Sequence, residues 1–210
     1  RVGDVIARRG GAQREVQAQI HDEVLTVLTL VVVHAVPRGR RLPALDPRPE
    51  EEPVEAVVAL GSNLGDTAGT IDEAVRAIRR LPLVDDVRVS RTFTTVALRP
   101  DGPDPDAPAF ANAVAIVTTR LAPQVLLGML HAIEEEHGRV RAERWGDRTL
   151  DLDLIAYGDA RSDDEHLLLP HPRAFERSFV LEPWLDVDPD AELPGRGRVA
   201  DLLAALEDGS

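Results

Sequence analysis

The sequence contains no cysteine, no lysine and few aromatic side chains. Without cysteine there is no disulfide, no thiolate nucleophile and no Cys-ligated zinc. That composition fits a reducing compartment, and the cytoplasm is the expected location. Without lysine there is no Schiff-base chemistry, no pyridoxal phosphate attachment and no P-loop lysine. All 24 basic residues are arginine. Any phosphate handled by this chain therefore falls to guanidinium groups, which grip it bidentately and stay charged at every working pH. Positive charge is also outnumbered: the formal net charge is −13. So acidic a chain is a poor general binder of nucleic acid or of an anionic membrane surface, and neither is expected as a partner. Long apolar runs are missing too. The longest, Val24–Val36, is too short to span a bilayer and contains Thr and His. A long polar segment precedes it, which is not the layout of a signal peptide.

Two textures divide what is present. Residues 1–52 run from a polar stretch through Val24–Val36 into the Arg- and Pro-rich Pro37–Pro53, an extension or linker of unknown role. Residues 53–210 have the texture of a folded domain. Val54–Leu60 is a short apolar run ending in Gly-Ser-Asn, which predicts a buried strand. Asp66 or Thr67 caps a helix running to about Arg80, with Ile71, Ala74, Val75 and Ile78 at helical spacing. Val84–Thr95 is β-branched and reads as one strand. Val96–Pro108 holds four prolines and reads as a long loop of the kind that carries function. Asn112–Thr119 is a further strand, and Pro123 opens a helix to about His137. Leu150–Tyr157 is a strand, and the tail Asp159–Ser210 adds short elements and a helix near Val199–Leu206. The order β-α-β-β-α-β predicts an α+β, ferredoxin-like fold: an antiparallel sheet with helices packed on it and C-terminal additions.

The chemistry concentrates in one strand. Asp151-Leu152-Asp153 alternates, so both carboxylates project from one face while Leu150, Leu152 and Leu154 point the other way into a core. Two adjacent like charges repel unless something positive sits between them, and a hard cation with oxygen ligands, Mg²⁺, is the usual answer. Arg139, Arg141, Arg144 and Arg148 crowd just upstream in GRVRAERWGDRTLDLD. Guanidinium groups beside a carboxylate pair are what phosphoryl transfer needs. A solvated edge strand and a salt-bridged surface loop are the plainer readings of the two features. His171, between two prolines and near Arg173 and Arg177, can contact a phosphate or simply sit in a turn. The turn Gly61–Asp66 can cradle an anion at a helix N-terminus or merely connect strand to helix.

Four segments, in this order and spacing, carry a resemblance: ALGSNLGD (59–66), FANAV (110–114), IEEEHGRVRAERWGDRTLDLDLI (133–155) and LPHPRAFERSFVLEP (169–183). From Val54 to about Asp190 the chain resembles 6-hydroxymethyl-7,8-dihydropterin pyrophosphokinase, a family of folate biosynthesis. The resemblance implies ATP as co-substrate, two Mg²⁺ ions, pyrophosphate transfer to a hydroxymethyl-pterin with release of AMP, and a monomer whose partners are small molecules. It implies that Asp151 and Asp153 bind the metal and that Arg139, Arg148 and Asp153 are catalytic. Glu134, Arg141, Leu154, His171 and Arg177 would meet ATP. Thr95, Val96, Leu98, Phe110, Asn112, Trp145 and Phe179 would meet the pterin, with Phe110 and Phe179 flanking its ring and Asn112 reading its edge. Core packing is the plain alternative for the two phenylalanines. Three positions depart from the family pattern: Val96 and Asp147 stand where prolines are usual, and His166 where an arginine can contact nucleotide. Another Mg²⁺-dependent nucleotide phosphotransferase, and a non-catalytic ligand-binding domain of the same fold, are the readings that compete.

Overall fold

The structure, a computed structural model, describes residues 52–99, 102–104, 106–138 and 149–208. The N-terminal segment 1–51 lies outside the described residues. Strand β1 (Val54–Ser62) leads into helix α1 (Thr67–Ile78), whose N-cap Asp66 accepts from the Gly69 amide at 3.0 Å. That satisfies one of the amide groups left over at a helix start. Strands β2 (Val84–Val89), β3 (Phe93–Thr95), β4 (Ala97–Arg99), β5 (Gly102–Asp104) and β6 (Phe110–Thr119) follow. Pro123 occupies the first turn of α2 (Pro123–Glu136), where its missing N–H costs nothing. After it come β7 (Asp151–Tyr157), β8 (Ser162–Asp164), β9 (Leu167–Leu169), a 3₁₀ turn (Ala174–Glu176), α3 (Ser178–Val187), β10 (Glu192–Leu193), β11 (Gly197–Arg198) and α4 (Val199–Asp208). Among the described residues no helix is long and apolar enough to cross a membrane.

The main sheet runs β2-β6-β1-β7, with β3 also paired to β6. Its neighbouring strands pair antiparallel. Since β2 and β3 together fill one strand position beside β6, this is the βαββαβ arrangement expected. The sheet is buried on both faces. Ala56, Val58 and Leu60 of β1 and Leu152 and Leu154 of β7 face one way, with the buried stripes of α1 and α2 (Ile71, Val75, Ile78, Leu126, Leu130, Ile133) completing that layer. Val57, Val114, Ile116 and Ile155 face the other way and pack with Val180, Leu181 and Trp184 of α3 and Val199 of α4.

Two expectations are corrected. Val84–Thr95 is not one strand: it breaks at Ser90, whose hydroxyl accepts from the Val114 amide at 3.0 Å and donates to the Arg91 carbonyl at 2.7 Å. A side chain there takes over a ladder bond, so the chain bends without leaving a polar group unpaired. Nor is Val96–Pro108 without structure, because β4 and β5 form a short hairpin inside it, with Leu98 opposite Pro103. Helix α3 was not expected at all in the tail. Pro183 lies inside it, and Val180, Leu181 and Trp184 are buried against the sheet. Tertiary burial there outweighs the lost hydrogen bond.

Candidate active site

One face of the sheet gathers the chemistry. Strand register places Gly61 of β1 opposite both Asn112 of β6 and Asp151 of β7, and Ala59 opposite Asp153. Phe93 of β3 lies opposite Asn112 on its other side, and Thr95 opposite Phe110. Directly paired residues share a face. Phe93, Asn112, Gly61 and Asp151 therefore form one row across four strands, roughly 15 Å long at the usual strand spacing. Asp153 lies one step along β7, roughly 7 Å from Asp151 along the strand. This face looks towards α3, while Leu150, Leu152 and Leu154 are buried on the other.

Each side chain is held from a different element. The buried Asn112 donates from Nδ2 to Thr95 Oγ1 at 2.8 Å, so β3 fixes the amide on β6. Gly61 leaves the floor between Asn112 and Asp151 open. A methyl group there would lie 3.6 Å from Asn112 Oδ1 and 4.0 Å from Asp151 Cβ. Phe110 and Phe179 are half-buried, Phe179 at the start of α3. Arg177, the residue before α3, donates from Nη1 to Asp153 Oδ2 at 3.1 Å and lies 5.6 Å from the Phe179 ring centre. A guanidinium thus sits where a cation facing Asp153 belongs.

His171 follows the cis Leu169–Pro170 peptide, and its amide donates to the Ile155 carbonyl at 2.8 Å. Its Nδ1 accepts from the Arg173 amide at 3.2 Å, an arrangement that in a neutral ring assigns the proton to Nε2. Burial holds its pKa below the usual histidine value. Asp153 pulls against that shift, and Arg177 and Arg173 add to it.

Glu134 is fully buried, and its Oε1 accepts from the Leu152 amide at 2.7 Å. It ties α2 to β7 between the two aspartates from beneath the sheet, and it does not line an open surface. Leu154 is likewise buried, so contact with a nucleotide through its side chain is not what this structure offers. Val96 is exposed and His166 is exposed beside Glu165, while the Leu98 side chain lies outside what is described. Arg139, Arg141, Trp145, Asp147 and Arg148 also lie outside the described residues. Sequence reasoning put Gly61 in a turn, whereas it lies in β1, and it missed Phe93 and the Arg177–Asp153 pair. Each depends on strand register or on a contact between distant segments. A cavity of about 600 Å³ opens beyond the His171 loop, lined by Arg161, Phe175 and Arg196, and neither aspartate borders it.

Two carboxylates one residue apart, hard oxygen donors with a cation already drawn to one of them, fit a divalent ion of the Mg²⁺ kind. Among the described residues no three acidic, His or Cys side chains converge.

Comparison with known proteins places these features in a wider set. Residues 57–189 match the sequence model of 7,8-dihydro-6-hydroxymethylpterin-pyrophosphokinase (HPPK). The chain is 45% identical over 148 residues to the 2-amino-4-hydroxy-6-hydroxymethyldihydropteridine pyrophosphokinase of Pseudomonas aeruginosa, covering 70% of this chain and 89% of that protein. It is 38% identical over 155 residues to the protein of the same name in Haemophilus influenzae, covering 74% and 94%. Among solved structures, wild-type Plasmodium falciparum HPPK-DHPS with pteroate shares the fold at a TM-score of 0.57 and 14% identity. That match covers 74% of this chain and 45% of the other, so this chain spans less than half the length of that protein.

Proposed function

This chain belongs to the 7,8-dihydro-6-hydroxymethylpterin-pyrophosphokinase family, and from that premise we propose how its residues carry the family's reaction. The reaction is transfer of pyrophosphate from ATP to the hydroxymethyl group of 6-hydroxymethyl-7,8-dihydropterin, giving the pterin diphosphate and AMP in folate biosynthesis. The observation that carries the assignment of roles is the row on the α3 face of the sheet: Asn112, Gly61 and Asp151 on three adjacent strands, with Asp153 one step away.

The pterin lies at the Asn112 end of that row. Asn112 keeps Oδ1 and its second N–H for the ring's hydrogen-bonding edge, since only one N–H goes to Thr95. Phe110 and Phe179 supply apolar faces, each worth ~0.5–1.5 kcal/mol in offset stacking beyond burial. Thr95 and Val96 edge the same site, and Leu98 and Trp145 are assigned to the pterin by family resemblance.

The phosphates lie at the aspartate end. Asp151 and Asp153 would hold two Mg²⁺ ions, which would supply Lewis-acid neutralisation of phosphate charge and lower the pKa of the pterin hydroxyl. Arg177 turns from Asp153 towards a phosphate, and His171 donates from Nε2 to another. Arg139, Arg141 and Arg148 neutralise the charge that spreads over the transferred group. Leu154 meets the nucleotide through its main chain, and Glu134 serves it by holding β7. Attack on the β-phosphorus then depends mainly on positioning and on exclusion of water. The hydroxyl proton passes to Asp153 or directly to solvent.

Residues 53–210 form the enzyme domain, preceded by an N-terminal extension or linker at 1–52. Family resemblance makes the active form a monomer, and the cysteine-free composition fits the cytoplasm. In the test, Asp153→Ala keeps its circular dichroism spectrum and loses AMP formation by a factor of at least about 10³, the scale of a lost electrostatic stabiliser. Full turnover by that variant refutes the assignment.

A further inference from the structure

A charge-assisted clasp lies outside every residue assigned above. Arg91 stands in the break between β2 and β3. Its amide donates to Asp186 Oδ2 at 2.8 Å, its Nε donates to Asp186 Oδ1 at 2.8 Å, and its Nη2 lies 2.7 Å from the same Oδ1. Asp186 belongs to the last turn of α3, and its side chain is 19% exposed. Surface ion pairs as a rule contribute little, because long side chains lose freedom and water screens the charges. This pair departs from that rule in geometry: two guanidinium nitrogens meet one carboxylate oxygen, and the main-chain amide of the same residue takes the other.

The clasp connects two elements to which the pterin is assigned. On one side Arg91 lies 5.5 Å from the ring centre of Phe93. Phe93 lies opposite Asn112, and Thr95, two residues further, accepts the Asn112 bond. On the other side Asp186 and Phe179 are seven residues apart in α3, so they share a helix face two turns apart. Strand β3 has little else to hold it. It is three residues long and pairs only with β6 in the main sheet, and so short a segment is marginal by itself. Ser90 fixes the bend before it, but only Arg91 ties it to α3 by an ion pair among the described residues.

We infer that Arg91 and Asp186 are positioning residues that set the width of the cleft between β3 and α3, and so the affinity for the flat pterin, without touching it. The inference rests on the assignment of Asn112, Thr95 and Phe179 to the pterin. Its test is steady-state kinetics on Arg91→Ala, Asp186→Ala, their double variant and Arg91→Lys, with thermal midpoints measured beside them. Each single alanine variant raises the KM for the pterin about tenfold, and the double variant does no more. The kcat and the KM for ATP stay within about twofold of the parent, because the aspartate end of the row is untouched. Arg91→Lys keeps the charge but loses the paired nitrogens, and it recovers less than half of the lost affinity in free energy.

An unchanged pterin KM overturns the inference. So does a rise in both KM values that tracks a fall in thermal midpoint, which marks a merely structural pair. So does additivity in the double variant. Asn112→Ala separates this failure from failure of the site assignment. If that variant binds pterin normally, the assignment is wrong; if it loses pterin while Arg91→Ala does not, only the clasp falls.

Discussion

Gly61 shows how much one missing side chain decides. It lies between a buried amide and a carboxylate, in a row where every other position carries a functional group. A methyl group at Gly61 meets its neighbours at 3.6 and 4.0 Å, ordinary contact distances, so alanine fits without displacing backbone. Gly61→Ala is expected to leave stability within about 0.5 kcal/mol of the parent. The methyl nonetheless stands on the open floor joining the pterin end to the aspartate end, so turnover falls while the fold persists. A thermal melt paired with kcat/KM for the pterin checks this; a large fall in melting temperature would mean that the glycine serves the fold. At this scale the sequence was half legible. The parity of Asp151 and Asp153 was readable because strand alternation is local and has a period of two. The place of Gly61 was not, because it depends on register with β6 and β7, some fifty and ninety residues away in the chain. Glu134 is a different case. The family resemblance makes its carboxylate a nucleotide contact, while in the structure it is buried and its Oε1 accepts from the Leu152 amide.

The elements α1 and α2 were legible nearly to the residue, since caps and apolar periodicity are written within the helix. Segment breaks were not. The division between β2 and β3 is made by the Ser90 hydroxyl standing in for a ladder bond, and a serine in a β-branched run gives no warning of it. Helix α3 was hidden by Pro183 and by the acidic, proline-bearing segment after it. What holds it is burial of Trp184 and Leu181 together with the bond from the Asp186 carboxylate to Arg91, in the break before β3. That bond has a consequence for acid stability. The Arg91 guanidinium and amide hold the Asp186 carboxyl below its ordinary range. A carboxyl with a depressed folded pKa contributes stability above its unfolded pKa, about 3.9, and loses it as pH falls through the folded value. Asp186→Asn is therefore expected to lower the melting temperature near neutral pH and to narrow its gap to the parent below about pH 4. A gap that stays constant from pH 7 to pH 3 would show that the charge plays no part.

On the scale of the whole molecule, the question is how much chain the reaction needs. Each described element of the fold begins after Pro53, the sheet is closed on both faces by helices from within 53–210, and the family match starts at residue 57. Asp151, Asp153, Asn112, His171 and Arg177 are positioned by bonds to one another or to β1, β3, β6 and β7. A buried core of this kind is an ordinary size for a domain that folds alone. Deleting residues 1–52 is therefore expected to change the melting temperature by no more than about 1 °C, the effect of a few tenths of a kcal/mol in a domain of this length. The KM values for ATP and pterin should be unchanged. If the extension instead packs on the domain, deletion lowers the melting temperature. If it reaches the cleft, it raises a KM while the melt stays put. The two measurements together assign the segment a role or none, and only the outcome with both unchanged supports an enzyme complete from residue 53.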